Sequence, residues 1–189
     1  MDPYLAAAQQ QSTPSIYRDK NFRQKFQEIN DAIRQREKQY LRSHVKKPSM
    51  GGPVNLSEDP LLNVLIAYKS SLAIELLEEI PEDELLKSNY DGDTALHVAV
   101  MEGDAKMAAA LIKRNKDLLH ACNKQRESPL HKAALYGESK IFWLLKKNGG
   151  DYSARRQNGD TVLHCAIMGN APSMLPTTVS LFLLDSRFI

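Results

Sequence analysis

The 189 residues, 42% of them hydrophobic, suffice for one modest core and a flanking segment, which excludes a wholly disordered chain. The formal net charge of +2 conceals a polarity, because residues 18–47 hold ten Lys or Arg against four Asp or Glu and the remainder sums to −4. Two parts with different partners are expected rather than one surface built for nucleic acid, so no nucleic-acid partner is expected.

Residues 1–17 are rich in Ala, Gln and Ser without a core pattern and are expected to be disordered. They lack the basic flank and long apolar core of a secretory signal. Residues 18–47 place Phe22, Phe26, Ile29, Ile33 and, after Arg36, Tyr40 at steps of four and three, which predicts one basic amphipathic helix with a narrow apolar stripe. Such a helix suits a solvated arm, docking to a partner helix, or peripheral contact with an anionic membrane surface. Residues 48–57 form a linker, and Gly51-Gly52-Pro53 lacks the Lys and hydroxyl residue of a phosphate loop.

Self-comparison of the remainder aligns DGDTALHVAVMEGD, QRESPLHKAALYGE and NGDTVLHCAIMGN, with His97, His131 and His164 spaced by 34 and 33 residues. Thr94, Ser128 and Thr161 stand where a hydroxyl caps a helix N-terminus, and Pro129 suits the first turn. Leu96, Leu130 and Leu163 are expected to point inward. Ala99, Ala133 and Ala166 are small enough to let successive first helices pack closely. Gly103 and Gly137 allow the chain to reverse, and return helices carry Met107, Ala110 and Leu111, then Ile141, Leu144 and Leu145 at helical spacing. Asn148-Gly149-Gly150 ends one return helix; Asn115, in a left-handed conformation, is expected to end the other. Four units follow: a degenerate capping repeat at 58–90, found by shifting the register back by 34, full repeats at 91–124 and 125–157, and a partial one at 158–189 whose tail is interrupted by Pro172 and Pro176.

A period near 33 with a T-P-L-H-x-A core resembles the ankyrin repeat. The wording TALHVAVMEGD and TVLHCAIMGN is most similar to plant ankyrin proteins that carry a C-terminal domain of membrane helices, here read as truncated. The resemblance implies an all-α solenoid of helix-turn-helix repeats with β-turn tips, and intracellular, cytoplasmic placement with longer membrane-anchored relatives. It also implies a protein partner held by the turn tips and first-helix ends: Tyr90, Asp91, Asp93, Met101 and Glu102, then Lys124, Gln125, Glu127, Leu135 and Tyr136, then Gln157, Asn158 and Asp160. Arg126 stands where Gly92 and Gly159 stand in the neighbouring tips, which predicts a different bend in the middle tip.

No cofactor, metal or catalytic residue is expected. Histidines on successive repeats lie about 10 Å apart, too far for one zinc ion, and are expected to bond backbone between repeats. Cys122 and Cys165 lack neighbours at metal-binding spacing, which points to a reduced compartment. Adjacent helical residues do not face each other, so His164 is no base for Cys165. Apolar runs at 61–68 and 179–184 fall well short of the roughly 20 residues that cross a bilayer. The expected function is a non-enzymatic scaffold or adaptor in plant signalling. The alternatives are a membrane-associated regulator led by residues 18–47 and a fragment of a membrane-anchored ankyrin protein.

Overall fold

Short helices need their ends satisfied, and the structure of this chain, a computed structural model that describes residues 20–46, 59–69, 71–169, 176 and 179, is organised by how each end is closed. The segment expected to be disordered at 1–17, the linker at 48–57 and the Pro-interrupted tail lie outside the described residues, except for positions 176 and 179.

The single basic helix expected at 18–47 is two helices, α1 (Lys20–Gln35) and α2 (Lys38–Lys46). Arg36 breaks it by taking φ +56°. Arg36 N–H donates to Ile33 O and Glu37 N–H to Ala32 O, at 3.3 and 2.9 Å, the paired bonds that close a helix in a Schellman turn. Chain reversal folds the stripe inward: Ile29, Ala32, Ile33 and Leu41 are buried in the same core as the repeats. Lys38 and Arg42 reach Glu75 and Glu79 at 2.5 and 2.7 Å. Ile29 and Ile33 of the arm's apolar stripe thus face the body, with Tyr40 packed partly against it.

Next come α3 (Leu61–Ala67), α4 (Leu72–Leu77) and the single turn α5 (Glu82–Leu85). The helix α3 lies against α6 (Ala95–Met101), and α4 against α7 (Ala105–Arg114). A 3₁₀ turn at Lys116–Leu119 accommodates the extra residue of this repeat and buries Leu118 and Leu119. Then α8 (Pro129–Leu135) and α9 (Ser139–Lys147) repeat the pair, and α10 (Val162–Met168) opens the last unit. Successive first helices α3, α6, α8 and α10 touch in order, and Ala99, Ala133 and Ala166 are buried where they meet, as small residues at a close contact require. Among the described residues β-structure is confined to two isolated bridges, Ser88 with Thr94 and Arg155 with Thr161. The fold is an all-α solenoid.

Gly103, Gly137 and Gly149 close α6, α8 and α9 at φ +68°, +72° and +105°. The expected left-handed Asn115 is not found: it is extended at φ −147°, and its side chain instead accepts from Asp117 N–H at 2.8 Å to cap the 3₁₀ turn.

At the turn tips Gly92 has φ +85° and Gly159 +89°. A Cβ on Gly92 would lie 2.8 Å from Lys124 N, whereas one on Gly159 meets nothing within 4 Å. Gly92→Ala is therefore expected to lower unfolding free energy by about 2 kcal/mol and Gly159→Ala by about 1 kcal/mol. Equal shifts in the urea midpoint would show that the approach of the first two tips is not tight.

Candidate interaction surface

Each tip is a small hydrogen-bonded device. In the first, Asn89 Oδ1 accepts from Asp91 and Asp93 N–H at 3.1 and 2.9 Å, and Asn89 N–H donates to Asp93 O. The second repeats the pattern: Asn123 Oδ1 accepts from Gln125 and Glu127 N–H, and Asn123 N–H donates to Glu127 O. Arg126 fills the glycine position at φ +58°, so the middle tip makes the same bend as its neighbours, contrary to the reading of the sequence. The Asn123 clamp holds Arg126 in a conformation that a side chain otherwise disfavours. In the third tip Arg156 takes the place of the asparagine, Arg156 N–H still donates to Asp160 O, and Asn158 Oδ1 accepts from Asp160 N–H. Lys124 N–H donates to Asp91 O and Gln157 N–H to Gln125 O, at 3.0 and 2.9 Å. Three loops become one ledge.

Beneath the ledge runs an ion network. Lys132 Nζ lies 2.9 Å from Glu127 Oε2 and 3.7 Å from Asp93 Oδ2, and Arg156 reaches Glu127 Oε1 at 2.8 Å and Asp160 at 3.5 Å. Asn123 Nδ2 donates to both Asp93 and Glu127, and Asn63 Nδ2 carries the chain back to Asp93 O. Burial alone would raise the Glu127 carboxyl. Hydrogen bonds from Asn123 and Lys132 and the charges of Lys132 and Arg156 outweigh it and hold the group below the usual range. Burial would likewise depress Lys132, yet its bond to Glu127 and the charges of Asp93 and Glu127 raise it. Both ends of the pair are fixed in the charged state at neutral pH.

The histidines lock repeats together. Thr94 N–H donates to His97 Nδ1 at 3.2 Å, so the ring proton sits on Nε2, which donates to Glu127 O of the next repeat at 3.0 Å. His131 does the same with Ser128 N–H and Ala154 O, at 3.2 and 3.1 Å. The Thr and Ser hydroxyls accept from the third helical N–H while the histidine accepts in return, a capping box with His in place of the usual Glu or Gln. Desolvation lowers both imidazoles below their ordinary value. His164 keeps its bonds to Thr161 but is exposed. Inter-repeat backbone bonding is therefore observed at His97 and His131. The buried Cys165 thiol is pushed up to about 11, chiefly by desolvation, and stays protonated and unreactive at neutral pH.

The sequence-predicted residues divide by depth. Tyr90, Asp91, Lys124, Gln125, Gln157, Asn158 and Tyr136 are exposed; Met101, Glu102, Leu135 and Asp160 are half-buried. Lys69 pairs with Glu102 at 3.7 Å. Asp93 and Glu127 lie under the ledge with Glu127 only 1% exposed, so they position the tips rather than meet a ligand. Sequence reasoning passed over Asn123, Lys132 and Arg156. A signal existed for Lys132, a charge in the inward L-H-x-A position that holds Val98 and Cys165 in the adjacent repeats. Among the described residues no helix is long and apolar enough to cross a membrane.

The family profile described as "Ankyrin repeats (3 copies)" matches residues 62–156. The human B-cell lymphoma 3 protein is 29% identical over 133 residues, 67% of this chain and 28% of that protein. Its Mus musculus homolog is 35% identical over 78 residues, 41% of this chain and 17% of that protein. Palmitoyltransferase AKR1 of Lachancea kluyveri is 28% identical over 138 residues, 69% of this chain and 18% of that protein. The chain thus spans less than a third of the length of each. With the profile covering half of the sequence and helix pairs stacked through a shared Thr-Leu-His-Ala register, the chain belongs to the ankyrin-repeat family.

Proposed function

We propose that this chain is a non-enzymatic scaffold or adaptor that holds a protein partner along the ledge of tips and the adjoining ends of the first helices. One observation carries the reading: the three tips are bonded edge to edge by Lys124 and Gln157 N–H, while Tyr90 and Tyr136, 60% and 51% exposed, project from a framework whose buried charges are already paired. Exposed tyrosines on a rigid support are the side chains that most often anchor an interface. Met101 and Leu135 line the helix ends beside them. The plant-type wording of the first and third repeats supports a role in plant signalling.

The double variant Tyr90→Ala, Tyr136→Ala tests this reading. It is expected to melt within a few degrees of the parent and to weaken partner capture by about tenfold or more, as loss of interface anchors does. Recovery of the same proteins at the same yield by the folded variant would remove the ledge from the account.

A further inference from the structure

Charge on the ledge is not distributed at random. Its inner acids, Asp93, Glu127 and Asp160, are matched to Lys132 and Arg156 at 2.8 to 3.7 Å. Its outer cations are not matched. Lys124 Nζ rests over the Tyr90 ring, 3.8 Å from the centroid, the Arg155 guanidinium donates to Gly159 O at 3.0 Å, and the Arg126 side chain stands in solvent. All three are exposed. Asp91 is the one exposed carboxylate of the three tips.

Arg126 adds a second observation. The adjacent tips put glycine at its position, where a left-handed backbone is unstrained; here an arginine adopts φ +58° with its side chain in solvent. The tip's own bonds fix that backbone, Arg126 N–H donating to Asn123 O at 2.9 Å, and leave the guanidinium in solvent, where it can meet a carboxylate. Lys124, flat against Tyr90, presents a cation and an aromatic face as one preformed anchor.

We infer that the ledge takes an acidic polypeptide segment whose carboxylates meet Lys124, Arg126 and Arg155, with Tyr90 and Tyr136 supplying the apolar contact. The assignment rests on the ledge being the recognition surface and names the chemistry of what it recognises. Bidentate arginine–carboxylate pairing suits Arg126 and Arg155, and the inner carboxylates, neutralised by Lys132 and Arg156, do not repel such a ligand.

Selection of a phage-displayed library of random short peptides on the whole chain is the test. The expected result is a bound set rich in Asp and Glu beside aromatic residues. A synthesised member should lose at least about tenfold in affinity between low and physiological salt, as screening of exposed charge demands. The same peptide should bind at least about tenfold more weakly to the folded Lys124→Glu, Arg126→Glu, Arg155→Glu variant, whose own selection should shift toward Lys and Arg. Neutral or basic peptides that ignore the triple substitution would overturn the charge assignment and leave the ledge as the recognition surface. Failure to enrich any peptide would overturn both. Duplex DNA bound in competition with the acidic peptide, and lost in the same variant, would overturn the choice of a polypeptide.

Discussion

His97→Ala and His131→Ala are each expected to lower the unfolding free energy by about 3 kcal/mol, and His164→Ala by less than about 1 kcal/mol. The residue type and local motif are the same in all three. What differs is the partner beyond the repeat: His97 and His131 satisfy the carbonyls of Glu127 and Ala154, so their removal strands a buried or part-buried acceptor as well as a backbone N–H, whereas exposed His164 closes only its own cap. Urea unfolding of the three variants checks the ranking, and equal losses would refute the inter-repeat role. Acidity probes the same bonds. Because both folded-state values lie below the ordinary histidine value of about 6.5, the unfolded chain binds the extra protons. Stability is complete above that value and falls as pH drops through it toward the lowered folded values. Each ring held neutral contributes a slope of about 1.4 kcal/mol per pH unit, and the slope should shrink in the His97→Gln variant. Glu127 titrates in a lower window, its contribution vanishing only below the ordinary carboxylate range.

Removing Glu127 should do comparable damage by another route. The Glu127→Ala variant leaves Lys132 and Arg156 with half of their neutralising charge and Asn123 without one acceptor, a loss of about 3 kcal/mol for a buried ionic partner. The Lys132→Ala variant should cost less, since Glu127 retains Arg156. In the double variant the two losses should fall short of their sum by about 1 kcal/mol or more, the signature of direct coupling. Additive losses would mean that the network is geometrically present but energetically idle. Asp91→Ala, at an exposed position on the same ledge, should stay within about 0.5 kcal/mol of the parent.

How far the sequence announced this arrangement depends on the kind of signal. Thr94, Leu96, His97 and Ala99 recur in register, and a recurrence of side chains carries a recurrence of contacts, so the helix pairs, their caps and the histidine bonds could be read before the fold was seen. The break at Arg36 could not, because neither glycine nor proline marks it; the turn is imposed by the burial of Ile29, Ile33 and Leu41 on one side of a hairpin. Asn115 was misread for a related reason: asparagine suits both a left-handed stop and a side-chain cap, and the buried Leu118 and Leu119 select the second. Glu127 looked like a surface residue of a turn, since nothing local reveals that Lys132 and Arg156 close over it from two different repeats.

Among the described residues, the first and last helices of the stack are covered unequally. At one, Ile29, Ile33 and Leu41 are covered and Lys38 and Arg42 are tied down; at the other, Ile167 is 59% exposed where Val100 and Ala134 are fully buried. Opening fluctuations should therefore be directional, with amide protons of α10 exchanging through small local excursions and those of α6 and α8 only through rupture of the whole array. The ledge inherits that gradient: its first two tips rest on helices whose Val100 and Ala134 are buried, and its third on a helix whose Ile167 is open to solvent.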